Sequence, residues 1–96
     1  MPHAAPGAFA PSTRLDAALA SYNVDRPTLV LDIDRVADQY RALKLGLGFA
    51  HIHYAVKANP TREIIERLVT LGSHFDAASR GEIELCLSQG AEPGHI

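Results

Sequence analysis

Ninety-six residues suffice for one small domain with a limited core, and an apolar fraction of 47% is that of an ordinary soluble globular protein. A net charge of −2 without any run of basic residues excludes the electrostatic footprint of a nucleic-acid binder. No apolar stretch approaches the roughly 18 residues of a membrane span, and a single cysteine, Cys86, forms no internal disulfide, which suits a reducing cytoplasm.

The first twelve residues, MPHAAPGAFAPS, carry three prolines and neither the charged start nor the apolar centre of a signal peptide. They read as a flexible leader, with the folded part running from 13 to 96. From Thr13 to Tyr22 the spacing of Leu15, Ala18, Leu19 and Tyr22 predicts a short helix, with Thr13 as its N-cap and Asp16 three residues on. PTLVLDI, 27 to 33, is a compact apolar run rich in β-branched residues and predicts a strand. Asp34 then caps a helix whose buried stripe is Val36, Tyr40, Leu43 and Leu47, with Gly46 and Gly48 as its stop.

HIHYAVKANP, 51 to 60, predicts the next strand. Alternation puts Ile52, Tyr54, Val56 and Ala58 on one side, and His51, His53, Ala55, Lys57 and Asn59 on the other. Pro60 cannot continue a central strand and suits the opening of a helix. That helix, TREIIERLVTLG, turns Ile64, Ile65, Leu68 and Leu71 to one side and stops at Gly72. SHFDAAS, 73 to 79, is a second short strand with His74, Asp76 and Ala78 on one face and Phe75 and Ala77 on the other. A last helix, RGEIELCLSQG, ends at Gly90, and AEPGHI holds a turn. Strand, helix, strand, helix with short links calls for parallel strands joined by right-handed crossovers. Lys57 and Asp76, nineteen residues apart, then fall near the same edge of neighbouring strands, where α/β folds place their chemistry.

Lys57 shares its face with small Ala55 and with no carboxylate of its own strand. An amine in a partly desolvated pocket becomes a nucleophile that forms Schiff bases with carbonyls, and pyridoxal phosphate is the common carbonyl partner. The plain alternative is a solvated lysine that keeps the strand soluble. Asp76, turned inward, needs a partner: a structural ion pair, or else Lys57 or a cofactor. Glu82 stands three residues after Ser79, the spacing of a capping box. His51 and His53 fit the filling of the inner face better than a metal site, since no zinc-ligand spacing or cysteine cluster accompanies them. Cys86 reads as a small buried apolar residue and Arg80 as an exposed first-turn residue.

HYAVKANP followed by LGSHFDAASRGEIELCLSQG resembles the barrel-fold pyridoxal-phosphate decarboxylases that act on ornithine, lysine, arginine or diaminopimelate. The resemblance runs from about Arg26 to the last residue. It implies that Lys57 carries pyridoxal 5'-phosphate covalently, that Asp76 lies close to the cofactor, and that Glu82 belongs to the same site. The fold it implies is α/β, the amino-terminal portion of a (β/α)8 barrel of the TIM type, incomplete, and preceded by one strand and a short helix. In such an enzyme the cofactor ring takes up the electrons left by departing carbon dioxide, while the protein orients the scissile bond and excludes water.

The remaining expectations concern the whole protein. Family members are several times longer, so the phosphate loop and the substrate-binding acids would lie beyond Ile96, and the 96-residue chain alone is expected to be inactive. The partners implied are a small amino-acid substrate and, in the complete protein, a second copy in a homodimer; nucleic acid and membrane are not expected. FDAASRGEIE sides with the ornithine and lysine branch of polyamine synthesis. Diaminopimelate decarboxylation, a non-catalytic regulatory relative, and a carrier or racemase on the same barrel are the alternatives.

Overall fold

The computed structural model describes residues 13–22 and 25–96; the expected leader lies outside the described residues, as does the side chain of Thr13 with its expected cap. The chain divides into two compact units, Met1–Asp32 and Ile33–Ile96.

In the first unit, helix α1 spans Thr13–Ser21. Its last turn is closed by Tyr22 N–H donating to the Ala18 carbonyl and by the Ser21 hydroxyl donating to the same oxygen. Asp32 accepts two bonds from the Arg14 guanidinium at 3.0 and 3.2 Å. The apolar run from 27 onward forms no strand. Its composition suits one, yet a strand exists only as half of a ladder. Among the described residues this run has no ladder partner, and Leu29 stays 80% exposed. Ile33, its last residue, instead opens a helix.

The second unit holds the core. Helix α2 covers Ile33–Leu47, two residues earlier than expected, so Asp34 lies inside its first turn rather than at the cap. There it accepts a bond of 2.6 Å from Arg67, tying α2 to the next helix. The buried face of α2 centres on Ala37, with Val36 and Tyr40 beside it, whereas Leu43 and Leu47 are exposed. The apolar stripe is therefore shorter than the periodicity suggests, because the packing partner covers only the first turns. Gly46 stays helical, and Gly48, at φ +62°, stops the helix in the left-handed conformation that glycine adopts without strain.

Strand β1 is His53–Ala55, and β2 is His74–Asp76. They pair in parallel, His53 with His74, Tyr54 with Phe75, and Ala55 with Asp76. His74 N–H donates to the Ile52 carbonyl at 2.9 Å, carrying the ladder one step further. Between the strands run a 3₁₀ turn, Val56–Ala58, and helix α3, Arg62–Thr70. Helix α4, Arg80–Ser88, follows β2, and a second 3₁₀ turn covers Pro93–His95. Pro60 precedes the N-cap Thr61 instead of opening α3 itself.

The βαβα order and the parallel sheet appear as expected. Val56, Ile64, Ile65, Leu68, Phe75 and Cys86 form a closed apolar cluster between the sheet and the helices, with Tyr54, Val69 and Leu85 packed on its rim. Ala58 departs from the alternation: the 3₁₀ turn ends the two-residue period, and Ala58 is exposed. Among the described residues no helix is long and apolar enough to cross a membrane.

Candidate active site

Tyr54 and Phe75 are ladder partners on the core side of the sheet, so Ala55 and Asp76 point to the opposite side. Val56 is then drawn fully into the core, and Lys57, the next residue, emerges exposed at the carboxyl end of β1. The 3₁₀ turn that carries it is fixed from several sides. Asn59 N–H donates to the Val56 carbonyl, closing the turn at 3.2 Å. The Tyr54 hydroxyl reaches over it to donate to the Asn59 carbonyl at 2.9 Å. Burial pushes the Tyr54 phenol above its ordinary pKa, so it stays a donor. The Asn59 carboxamide oxygen accepts from the Thr61 backbone N–H at 3.2 Å and from its hydroxyl at 2.6 Å. That hydroxyl is thereby engaged with Asn59 and makes no cap bond to α3. Asn59 is extended, as a residue before proline must be.

Asp76 closes β2, exposed, two residues behind Lys57 in the register. Among the described residues neither the Lys57 nor the Asp76 side chain makes a hydrogen bond or ion pair, so the structural ion pair weighed for Asp76 is not formed there. Lys57 stands open to solvent rather than in a desolvated pocket, since the two βα units leave that face of the sheet without a wall. Glu82 is engaged: its carboxylate accepts from Ala78 N–H at 2.8 Å while Ser79 Oγ accepts from Glu82 N–H at 3.2 Å. This capping arrangement places the N-cap of α4, Ser79, three residues after Asp76. Arg80 lies exposed in the first turn and pairs with Glu84 at 2.9 Å. Cys86 is fully buried, and burial, aided by the Glu82 charge, pushes its thiol up, leaving it inert.

The sequence reading missed a histidine cluster. His74 lies 4.5 Å from the His51 ring and 5.0 Å from the His53 ring, and it stacks on His95 at 4.1 Å. Desolvation lowers the His74 pKa, and the positive charges possible on His95, His51, His53 and Lys44 lower it further. The numbering held the signal: His53, His74 and His95 recur every 21 residues, close to one βα period. Among the described residues no group of three or more histidine, cysteine and carboxylate side chains is arranged to hold a metal ion.

A βαβα unit that presents an unpaired lysine on a core-anchored turn, with an unpaired carboxylate on the adjacent strand, suits a protein that holds a carbonyl cofactor through an amine. Small Ala55 beside Lys57 leaves room for a planar ring, and the donor set fits pyridoxal phosphate. Residues 33–96 match the family model "pyridoxal-dependent decarboxylase, pyridoxal binding domain", and the chain belongs to that family.

The lysine/ornithine decarboxylase of Selenomonas ruminantium is 44% identical over 72% of this chain and 18% of its own length. A diaminopimelate decarboxylase of Pseudomonas aeruginosa is 39% identical over 73% of this chain and 17% of its own. Among solved structures, SrLDC, the lysine decarboxylase of Selenomonas ruminantium, in complex with PLP and cadaverine, superposes with a TM-score of 0.72. It is 40% identical over 88% of this chain and 22% of that one. The chain thus spans about a fifth of the length of these relatives.

Proposed function

We propose that this chain is the cofactor-lysine portion of a decarboxylase of basic amino acids, acting on ornithine or lysine to release a diamine. The observation that carries the reading is Lys57, an unpaired amine held on an anchored turn at the carboxyl end of a parallel strand, in a chain of the pyridoxal-binding family. Lys57 Nζ would hold the cofactor through its carbonyl carbon, giving up its proton first. Bound pyridoxal phosphate supplies the electron sink that accepts the pair left when carbon dioxide departs. Asp76 would set a negative charge beside the cofactor, and Glu82 would take part by fixing the start of α4 close behind Asp76.

The two βα units would be the amino-terminal part of a (β/α)8 barrel, whose further strands would wall in the open face carrying Lys57. The complete protein would be a cytoplasmic homodimer of polyamine synthesis, with no nucleic-acid or membrane partner. Diaminopimelate is the second reading, favoured by the Pseudomonas relative. Arg80, within the FDAASRGEIE run that sides with ornithine and lysine, is solvent-facing here, so its influence on the substrate would be indirect. The test is carbon dioxide release by the complete protein from ornithine, lysine and diaminopimelate, with Lys57→Arg as control. Release from the first two, abolished in the variant, is expected, as is no release by the 96-residue chain alone. Release from none of the three, or full activity in Lys57→Arg, would refute the proposal.

A further inference from the structure

We infer that Tyr54 is a positioning residue for Lys57, its hydroxyl latching the turn that aims the amine at the cofactor. The inference rests on the reading of Lys57 as the cofactor lysine and goes beyond it to the residue that sets its geometry.

The turn from Val56 to Ala58 is a single 3₁₀ turn, and such turns are held by weaker, poorly aligned bonds. On its own, one 3.2 Å bond from Asn59 N–H to the Val56 carbonyl would let the lysine backbone wander. The Tyr54 ring is rooted beside the apolar cluster one residue before the turn's N-cap, and its hydroxyl bonds the carbonyl of the residue just after the turn. The bond therefore spans the whole turn, with Lys57 in the middle. Asn59 is braced from the far side by Thr61, whose hydroxyl and backbone N–H both donate to its side chain. Lys57 thus stands between two framed points while its own side chain stays free to react. Condensation of an amine with an aldehyde forms a carbon–nitrogen double bond and expels water, and it requires the amine on a defined approach to the carbonyl carbon. Latching the backbone restricts the amine's search without occupying the amine.

The experiment uses the complete protein and Tyr54→Phe, which keeps the ring and deletes only the hydroxyl. Tyr40→Phe is the control, because Tyr40 packs against the same core and its hydroxyl makes no hydrogen bond among the described residues. Added pyridoxal phosphate is followed by absorbance to obtain the condensation rate. Hydrogen exchange reports the Asn59 amide in the cofactor-free protein, and borohydride reduction with peptide mapping locates the link. In Tyr54→Phe we expect the link still on Lys57, formed more slowly by about two- to tenfold, the ratio that one net hydrogen bond supplies. The Asn59 amide should lose protection, and Tyr40→Phe should alter neither reading. Thr61→Val loosens the other side of the same frame and should act in the same direction, which keeps the test available if Tyr54→Phe does not fold. Equal rates and equal protection with the link on Lys57 throughout would overturn this inference alone, as would equal slowing in Tyr40→Phe. A link elsewhere in the unsubstituted protein would overturn the functional reading and this inference with it.

Discussion

Replacing Leu68 by alanine tests whether the cluster under the sheet is a packed core. Leu68 is 3% exposed and lies on α3 among Ile64, Ile65 and Phe75. The substitution deletes three carbon atoms, worth about 2.4 kcal/mol at roughly 0.8 kcal/mol each. A cavity adds to this, and buried Leu→Ala changes span about 2–5 kcal/mol depending on how far the site collapses. Here collapse is favoured, because Leu68 also lines an open groove with Tyr54, Ile52 and Val36, into which side chains can relax and water can enter. The expected loss is therefore in the lower part of the range, about 2–3 kcal/mol. Leu87→Ala, on the exposed side of α4 at 44% exposure, should cost less than about 1 kcal/mol. Urea unfolding followed by far-ultraviolet circular dichroism gives both values, provided the slope with denaturant is unchanged. A Leu68→Ala loss no larger than that of Leu87→Ala would refute the packing account.

The histidine cluster makes stability depend on pH. The folded pKa of His74 is depressed, so its contribution is present above the unfolded value of about 6.5 and is lost as pH falls from there through the folded value. The melting temperature should fall as the pH drops below about 6.5, and the fall should shrink in His95→Phe, which keeps a stacked ring without its charge; an identical pH slope in that variant would contradict the assignment. Gly72 and Gly46 both have open space where a Cβ would go, so only the backbone decides their response to alanine. Gly72→Ala, at φ +83°, should cost about 1–2 kcal/mol. Gly46→Ala, within α2, should stabilise by about 0.5–1 kcal/mol; melts of the two variants shifting in the same direction would count against this.

How far the fold could be read from the sequence depended on how local each signal was. The alternation through Ile52, Tyr54, Val56 and Lys57, and the 3.6-residue spacing of Ile64, Ile65 and Leu68, are properties of single elements, and both sides of each pattern are found where expected. The run at 27–33 misled because its composition reports a tendency to pair, whereas pairing depends on a neighbour that the local sequence cannot supply. Leu43 and Leu47 misled in the same way: they continue the apolar stripe of α2 past the end of its packing partner. The shortening of β1 was partly legible, since Pro60 forces Asn59 extended, but the Tyr54 hydroxyl that closes over the turn is a side-chain contact no periodicity reveals. For the site, strand ends located Lys57 and Asp76, and the Ser79–Glu82 spacing gave the cap. His95 joined its cluster through tertiary folding, visible beforehand only as the 21-residue recurrence.

Borohydride reduction of the complete protein loaded with pyridoxal phosphate, followed by peptide mass mapping, tests the central claim most directly. Lys57 is on the polar side of the sheet without a partner among the described residues, whereas the Lys44 ammonium donates to the Ala50 carbonyl at 2.7 Å from the last turn of α2. There it also complements the helix dipole. The label is expected on the peptide containing Lys57 and should vanish in Lys57→Arg, which keeps the charge but cannot form the link. A phosphopyridoxyl group on Lys44, or on any lysine beyond Ile96, with Lys57 unmodified, would contradict the account.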